Sequence, residues 1–172
     1  NQQREKIIIN SHNKVYKSTI NEFNRLITRR STSEPLAYIF KNKEFWSKNF
    51  FVNKNTLIPR PETELLCDIV IKTLKNKNPF ILDIGTGTGC ILLSILSEIK
   101  KAKGIGVDIS TKAIAVAKKN SSNLRLNSRA KFFASIKRQW LNPELTFKSL
   151  KAFCYKTTLR RKGPLLHVMD CL

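Results

Sequence analysis

The stretch ILDIGTGTGC, residues 81–90, runs from apolar residues to an acid, Asp83, and then breaks into alternating glycines. Its left half, with Phe80, is a short and continuously apolar run of the kind buried inside a parallel sheet. Its right half passes into residues 91–99, where Ile91, Leu92, Ile95, Leu96 and Ile99 recur at helical spacing. Further on, GIGVD (104–108) reads as a second strand. Ser110 is placed to cap a second helix with Ala113, Ile114, Val116 and Ala117 turned inward. KFFA (131–134) reads as a third strand. Strand and helix alternating in this way predict an α/β fold, a doubly wound parallel sheet with right-handed crossovers. The pattern fails after Ser135: residues 136–172 form a basic tail with no clean period, in which PLLHVM is a candidate last strand. The sheet is therefore expected to be incomplete on its C-terminal side.

Upstream, residues 14–30 place Val15, Ile20, Phe23, Leu26 and Ile27 on one side of an amphipathic helix with a basic end. RSTSEP breaks it. Residues 45–58, aromatic and branched but interrupted by NKN, suggest a β-hairpin. In PRPETE, Pro61 and the acids after it suit a helix start. Leu65, Leu66, Ile69, Val70, Thr73 and Leu74 are expected to form the apolar face of that helix.

Composition narrows the class. Apolar content of 41% is that of a globular chain. No run reaches the roughly 18 apolar residues of a membrane helix. Cys67, Cys90, Cys154 and Cys171 form no C-x-x-C pair, and His12 and His167 stand alone, so buried thiols, reducing surroundings and no metal are expected. The formal charge is +20 and uneven: residues 1–109 carry 18 Lys and Arg against 10 acids, residues 110–172 carry 14 against 2. Such a surface suits a ribosomal or nucleic-acid contact through counterion release, or it reflects coding bias in a chain also rich in Asn and Ile. The chain opens NQQREKIII without a methionine, which leaves room for sequence upstream.

The glycines carry the chemistry. Gly85, Gly87 and Gly89 lie between a strand and a helix, where bare backbone turns sharply and approaches a ligand, and where the free N–H groups of a helix start favour an anion. Asp108 ends the next strand, near the roughly 20-residue separation at which an acid grips ribose hydroxyls. G-x-G-x-G is not the dinucleotide spacing, no Lys-Ser/Thr follows, and an acid just ahead of the loop suits an S-adenosylmethionine site. Asp83, Gly85, Thr86, Gly87, Thr88, Gly89 and Asp108 are the candidate cofactor-binding residues. No catalytic residue is assigned.

EPLAYIF, KEFW, LIPRPETE and LDIGTGTGC, taken together over residues 34–133, resemble the peptide-chain release-factor N5-glutamine methyltransferases. LIPRPETE and DIGTGTGC, about twenty residues apart, are specific in combination. The resemblance implies methyl transfer from S-adenosylmethionine to the glutamine side-chain amide of a Gly-Gly-Gln tripeptide in class I release factors, in the cytoplasm. It implies that residues 85–89 cradle the methionine part, that Asp108 takes the ribose hydroxyls, and that Asp83 helps anchor the methionine end. It divides the chain into a remnant of a helical substrate-recognition domain (1–40), a β-hairpin linker (41–60), the cofactor-binding α/β domain (61–135) and the tail (136–172). Arg60, Glu62 and Glu64 lie at the join, beside the substrate channel or as an ion-pair brace.

The family presents the amide to an Asn-Pro-Pro-Tyr motif after the fourth strand, and this sequence has none. Asn78-Pro79-Phe80 precedes the glycines, and Asn142-Pro143-Glu144-Leu145 lacks the strand, second proline and aromatic. The adenine-side acid and aromatic expected after the third strand are replaced by Ile136 and Lys137, and Trp140 is displaced. Lys41 stands where the family has glycine. The expectation is a shortened or degenerate copy. Two alternatives stand beside it: a nucleic-acid methyltransferase of the adenine N6 type, which LIPRPETE disfavours, and a non-catalytic basic remnant.

Overall fold

The computed structural model describes residues 14–134 and the backbone of 165–169. The chain divides into two compact units, Asn1–Phe40 and Lys41–Leu172. In the first, α1 (Lys17–Ser31) is followed by the short α2 (Leu36–Phe40). Arg29 grips both carboxylate oxygens of Glu34 across the intervening turn, at 2.7 and 2.5 Å. No residue of α1 is fully buried, and Val15, Ile20, Phe23 and Ile27 are exposed.

The second unit opens with a hairpin of β1 (Asn42–Phe45) and β2 (Lys48–Phe51), in which Phe45 pairs with Lys48. The hairpin thus turns at Trp46-Ser47, earlier than the sequence suggests. Both turn residues have φ of +51°, the left-handed geometry of a tight two-residue hairpin loop that Asn-Gly usually fills. The NKN segment does make a turn, with the Asn55 N–H on Asn53 Oδ1 at 2.9 Å, but it marks the exit from the hairpin. Phe45 and Phe50 meet edge to face, ring centroids 6.1 Å apart, and are fully buried.

A 3₁₀ turn at Pro61–Thr63 leads into α3 (Glu64–Leu74). Its core face is Cys67, Val70 and Leu74, flanked by Leu66 and Ile71. Leu65 and Ile69 are 65% and 53% exposed, so the expected face is rotated. Counting Cys67 as a small apolar residue recovers the i, i+3, i+7 stripe that the leucines obscured.

The sheet follows: β3 (Phe80–Ile84), α4 (Cys90–Glu98), β4 (Lys103–Asp108), α5 (Thr111–Asn123), β5 (Ala130–Ala134) and β6 (Leu165–Met169). All four strands are parallel, in the order β5-β4-β3-β6. PLLHVM therefore supplies a strand, on the far side of β3. Sheet growth reverses at β3, which defines a doubly wound topology and puts a crevice at the C-terminal end of that strand. One face packs under α3, α4, α5 and the hairpin around Ile81, Ala130 and Phe132. The other carries Leu82, Ile105 and Val107. Helix α4 is buried at every position from Cys90 to Leu96.

Close approach explains one strand glycine. A Cβ on Gly106 would lie 2.6 Å from the Phe132 ring and 2.7 Å from Thr86 Oγ1. The strand must be bare there for the loop after β3 to lie against it.

Candidate functional site

The loop 85–89 leaves the C-terminal end of β3, where φ is +77° at Gly85, +50° at Gly87 and +78° at Gly89. The Gly85 and Thr86 N–H groups both donate to the Val107 carbonyl, at 2.9 and 3.0 Å, and hook the loop onto β4. The Gly89 N–H closes it on Thr86 O at 2.6 Å. The glycines have different surroundings. A Cβ on Gly85 would meet nothing within 4 Å, and one on Gly87 only the Gly85 carbonyl at 3.8 Å. On Gly89 it would press on Leu93, Ala117 and Phe132 at 3.2–3.3 Å. Two glycines thus border open space, while the third seats α4 against the sheet.

The other loop candidates turn inward. Asp83 is fully buried and its Oδ2 accepts from the Thr86 hydroxyl at 2.6 Å. Thr88 is also buried. Four of its five N–H groups, those of Gly85, Thr86, Gly87 and Gly89, donate within the protein, so what the loop presents outward at Gly85 and Gly87 is bare main chain that a ligand can approach closely.

Asp108, half-buried at the end of β4, is brought to the same place. Its Oδ2 accepts the Gly87 N–H at 2.9 Å and its Oδ1 accepts the Ser110 N–H at 2.8 Å. Each carboxylate oxygen can take a second donor, so a hydroxyl-bearing ligand is compatible with both bonds. Ser110 in turn caps α5 through Ala113 N–H, at 3.2 Å. Next to Asp108, Ile109 is 77% exposed, an apolar surface beside the carboxylate that the sequence reading did not single out. An open cradle with a carboxylate at its rim fits a group that is polar, hydroxylated and partly flat.

Asn120 was also missed. Fully buried on α5, it bonds both to the loop, at Thr88 O, and to the hairpin, at Phe51. The signal was present, since an amide falls on the inward face three residues after Ala117. Within the second unit, Glu64 Oε1 accepts the Trp46 N–H at 2.8 Å. Among the described residues none of Arg60, Glu62 and Glu64 is in an ion pair, so the expected brace is replaced by this hydrogen bond to the hairpin turn. Asn78 and Pro79 precede β3 and so lie at the opposite end of the strand from the loop. Asn142, Ile136, Lys137 and Trp140 lie outside the described residues, as do Cys154 and Cys171. Cys67 and Cys90 are buried free thiols. No helix among the described residues is long and apolar enough to cross a membrane.

Comparison with known proteins places the chain. A methyltransferase-domain family pattern matches residues 75–142. The release factor glutamine methyltransferase of Caulobacter vibrioides is 42% identical over 128 residues, 74% of this chain and 44% of that protein. That of Buchnera aphidicola subsp. Acyrthosiphon pisum is 45% identical over 111 residues, 64% of this chain and 40% of that protein. A bifunctional methyltransferase of Rickettsia prowazekii is 36% identical over 154 residues, 78% of this chain and 30% of that protein. The chain therefore spans less than half the length of each.

Proposed function

The chain is a relative of the release factor glutamine methyltransferases, and from that premise we propose that its glycine loop binds S-adenosylmethionine for methylation of a release-factor glutamine. The carrying observation is the open main chain at Gly85 and Gly87, one hydrogen bond of 2.9 Å from the Asp108 carboxylate. When bound, S-adenosylmethionine supplies a methyl group already activated by its sulfonium. Backbone of residues 85–89, including Thr86 and Thr88, would hold its polar methionine end. Asp108 accepts from the ribose hydroxyls, and Ile109 offers an apolar face to the adenine. Asp83 acts from below, fixing the loop through Thr86.

The substrate would be the amide nitrogen of the glutamine in a Gly-Gly-Gln tripeptide of a class I release factor. That nitrogen is a poor nucleophile because its lone pair is delocalised into the carbonyl. Catalysis then rests on acceptors that hold both amide protons and aim the nitrogen, and orientation of this kind supplies several kcal/mol. The sequence contains no Asn-Pro-Pro-Tyr to do this, so cofactor binding is expected to outlast turnover. A translation-factor substrate implies a cytoplasmic setting.

A polyanionic partner is favoured by a separate feature. A groove of about 260 Å³ between β2 and α5 is lined by Lys112, Lys119, Asn53 and Asn55, and Lys119 Nζ sits 3.6 Å over the Phe51 ring. With a net charge of +20, contact with ribosomal or other RNA is proposed there. Its affinity should fall with added salt and with Lys112→Ala/Lys119→Ala; insensitivity to both removes this partner.

The test of the main reading is calorimetry with S-adenosylmethionine and S-adenosylhomocysteine, paired with transfer of labelled methyl to a release factor. Binding lost in Gly87→Ala and Asp108→Ala supports the site, and binding indifferent to both rejects it. Methyl transfer to nucleic acid in preference to release factor would reverse the substrate assignment.

A further inference from the structure

Asn120 is 1% exposed, and it spends its amide on two separate parts of the chain. Its Oδ1 accepts the Phe51 N–H at 2.7 Å, while its Nδ2 donates to the Phe51 carbonyl at 3.0 Å and to the Thr88 carbonyl at 2.9 Å. Phe51 offers one donor and one acceptor, which fixes which way the amide is turned. The side chain thereby plays the part of a neighbouring strand for the last residue of β2. Its second hydrogen then reaches the peptide between Thr88 and Gly89. Two peptides earlier in the loop, the Gly87 N–H donates to Asp108. A shift of the Thr88 carbonyl therefore moves the main chain that borders the open cradle.

No other common side chain of this size makes all three bonds. Aspartate has no hydrogens for the two carbonyls, leucine has neither donor nor acceptor, and serine is too short to span both partners. The three bonds cross 69 and 32 residues of sequence, so neither partner is held by local structure alone. β2 continues without a helix or strand into residues 52–60, which lead to the turn at Pro61–Thr63. Whatever presses on that segment acts on the strand end that Asn120 holds.

We propose that Asn120 is a positioning residue that couples the glycine loop to the end of the hairpin, so that ligand binding at the loop orders Phe51 and displacement of the hairpin loosens the loop. This rests on the cofactor reading above. Reciprocity follows from linkage: if an ordered hairpin tightens ligand binding, ligand binding must favour the ordered hairpin by the same factor.

Amide hydrogen exchange on the full chain, with and without S-adenosylhomocysteine, tests it. In the native chain the ligand should slow exchange both in residues 84–90 and at Phe51. In Asn120→Asp, where a carboxylate faces two carbonyls, the ligand should still slow the loop but no longer Phe51, and its affinity should fall about tenfold or more, as for a buried hydrogen bond left unmade. Should that variant not fold, Asn120→Ser removes the reach to both carbonyls without burying a charge and carries the same expectation. A residue serving stability alone would lower the melting temperature and leave the transmitted protection at Phe51 intact. Protection of the loop without Phe51 in the native chain overturns the coupling and leaves the cofactor reading standing, as does undiminished protection of Phe51 in the folded variant. Protection of neither segment in the native chain overturns the cofactor reading and the coupling with it.

Discussion

Asp108 holds two backbone N–H groups at once, one on the loop after β3 and one at the start of α5. Replacing it with alanine strands both donors in a half-buried place, which should cost about 1–3 kcal/mol of stability in urea unfolding besides the loss of ligand affinity. Asp108→Asn keeps the shape but must present its NH₂ to one of the two donors, so it should recover only part of each loss. Gly106→Ala tests a further contact between β4 and the loop. Its methyl would meet Phe132 and Thr86 at 2.6–2.7 Å, and overpacking of this kind costs about 1–3 kcal/mol; an unchanged denaturation midpoint would show that the neighbours give way freely. Asp108 and the glycines were legible because strand, glycines, helix, strand and acid follow one another along the chain. Asn120 was not, because its partner Phe51 is 69 residues away and no local pattern announces it. Ile109 is legible only once its exposure beside the carboxylate is known.

Among the elements, α5 has its cap where the sequence put it. Ser110→Ala removes the side-chain acceptor for Ala113 N–H and should lower stability by about 1 kcal/mol; Ser110→Asp should restore most of it. The hairpin and α4 are joined by Lys48 and Glu98 at 2.9 Å. Hydrogen bonding to Lys48, reinforced by its charge, holds the Glu98 carboxyl below its ordinary value. A carboxyl depressed in the folded state contributes stability above its unfolded pKa and loses it as pH falls through the folded value. The pair is partly exposed, so the contribution is at most about 1 kcal/mol. Stability measured from pH 7 to pH 3 should therefore fall slightly less in Lys48→Met than in the native chain, and an identical slope would assign the pair no role. The longer helices and the sheet strands were legible from periodicity, whereas the short α2 and the start of the hairpin at Asn42 were not, and faces and turns were less so. Trp-Ser gives no turn signal, and its left-handed geometry is supported by a tertiary bond from Trp46 N–H to Glu64. The face of α3 was misread because exposed Leu65 and Ile69 outweighed one small buried thiol.

Across the whole molecule, the order β5-β4-β3-β6 leaves β3 and β4 paired on both sides. Their amides should exchange slowest, and β5, paired among the described strands only with β4, should exchange faster. Uniform protection of the three would indicate that β5 has a second neighbour in solution. Parallel order was anticipated by alternating strands and helices, whereas the reversal at β3 depends on where β6 joins the sheet. Membership of β6 was only weakly signalled, since PLLHVM follows a stretch without period and must reach its place beside β3 across thirty residues. Helix α4, buried without a break from Cys90 to Leu96, has a consequence beyond packing. It offers no wet side on which sequence can drift, so random mutagenesis across those seven codons should return almost only small or aliphatic replacements, while the outward positions of α5 accept nearly anything.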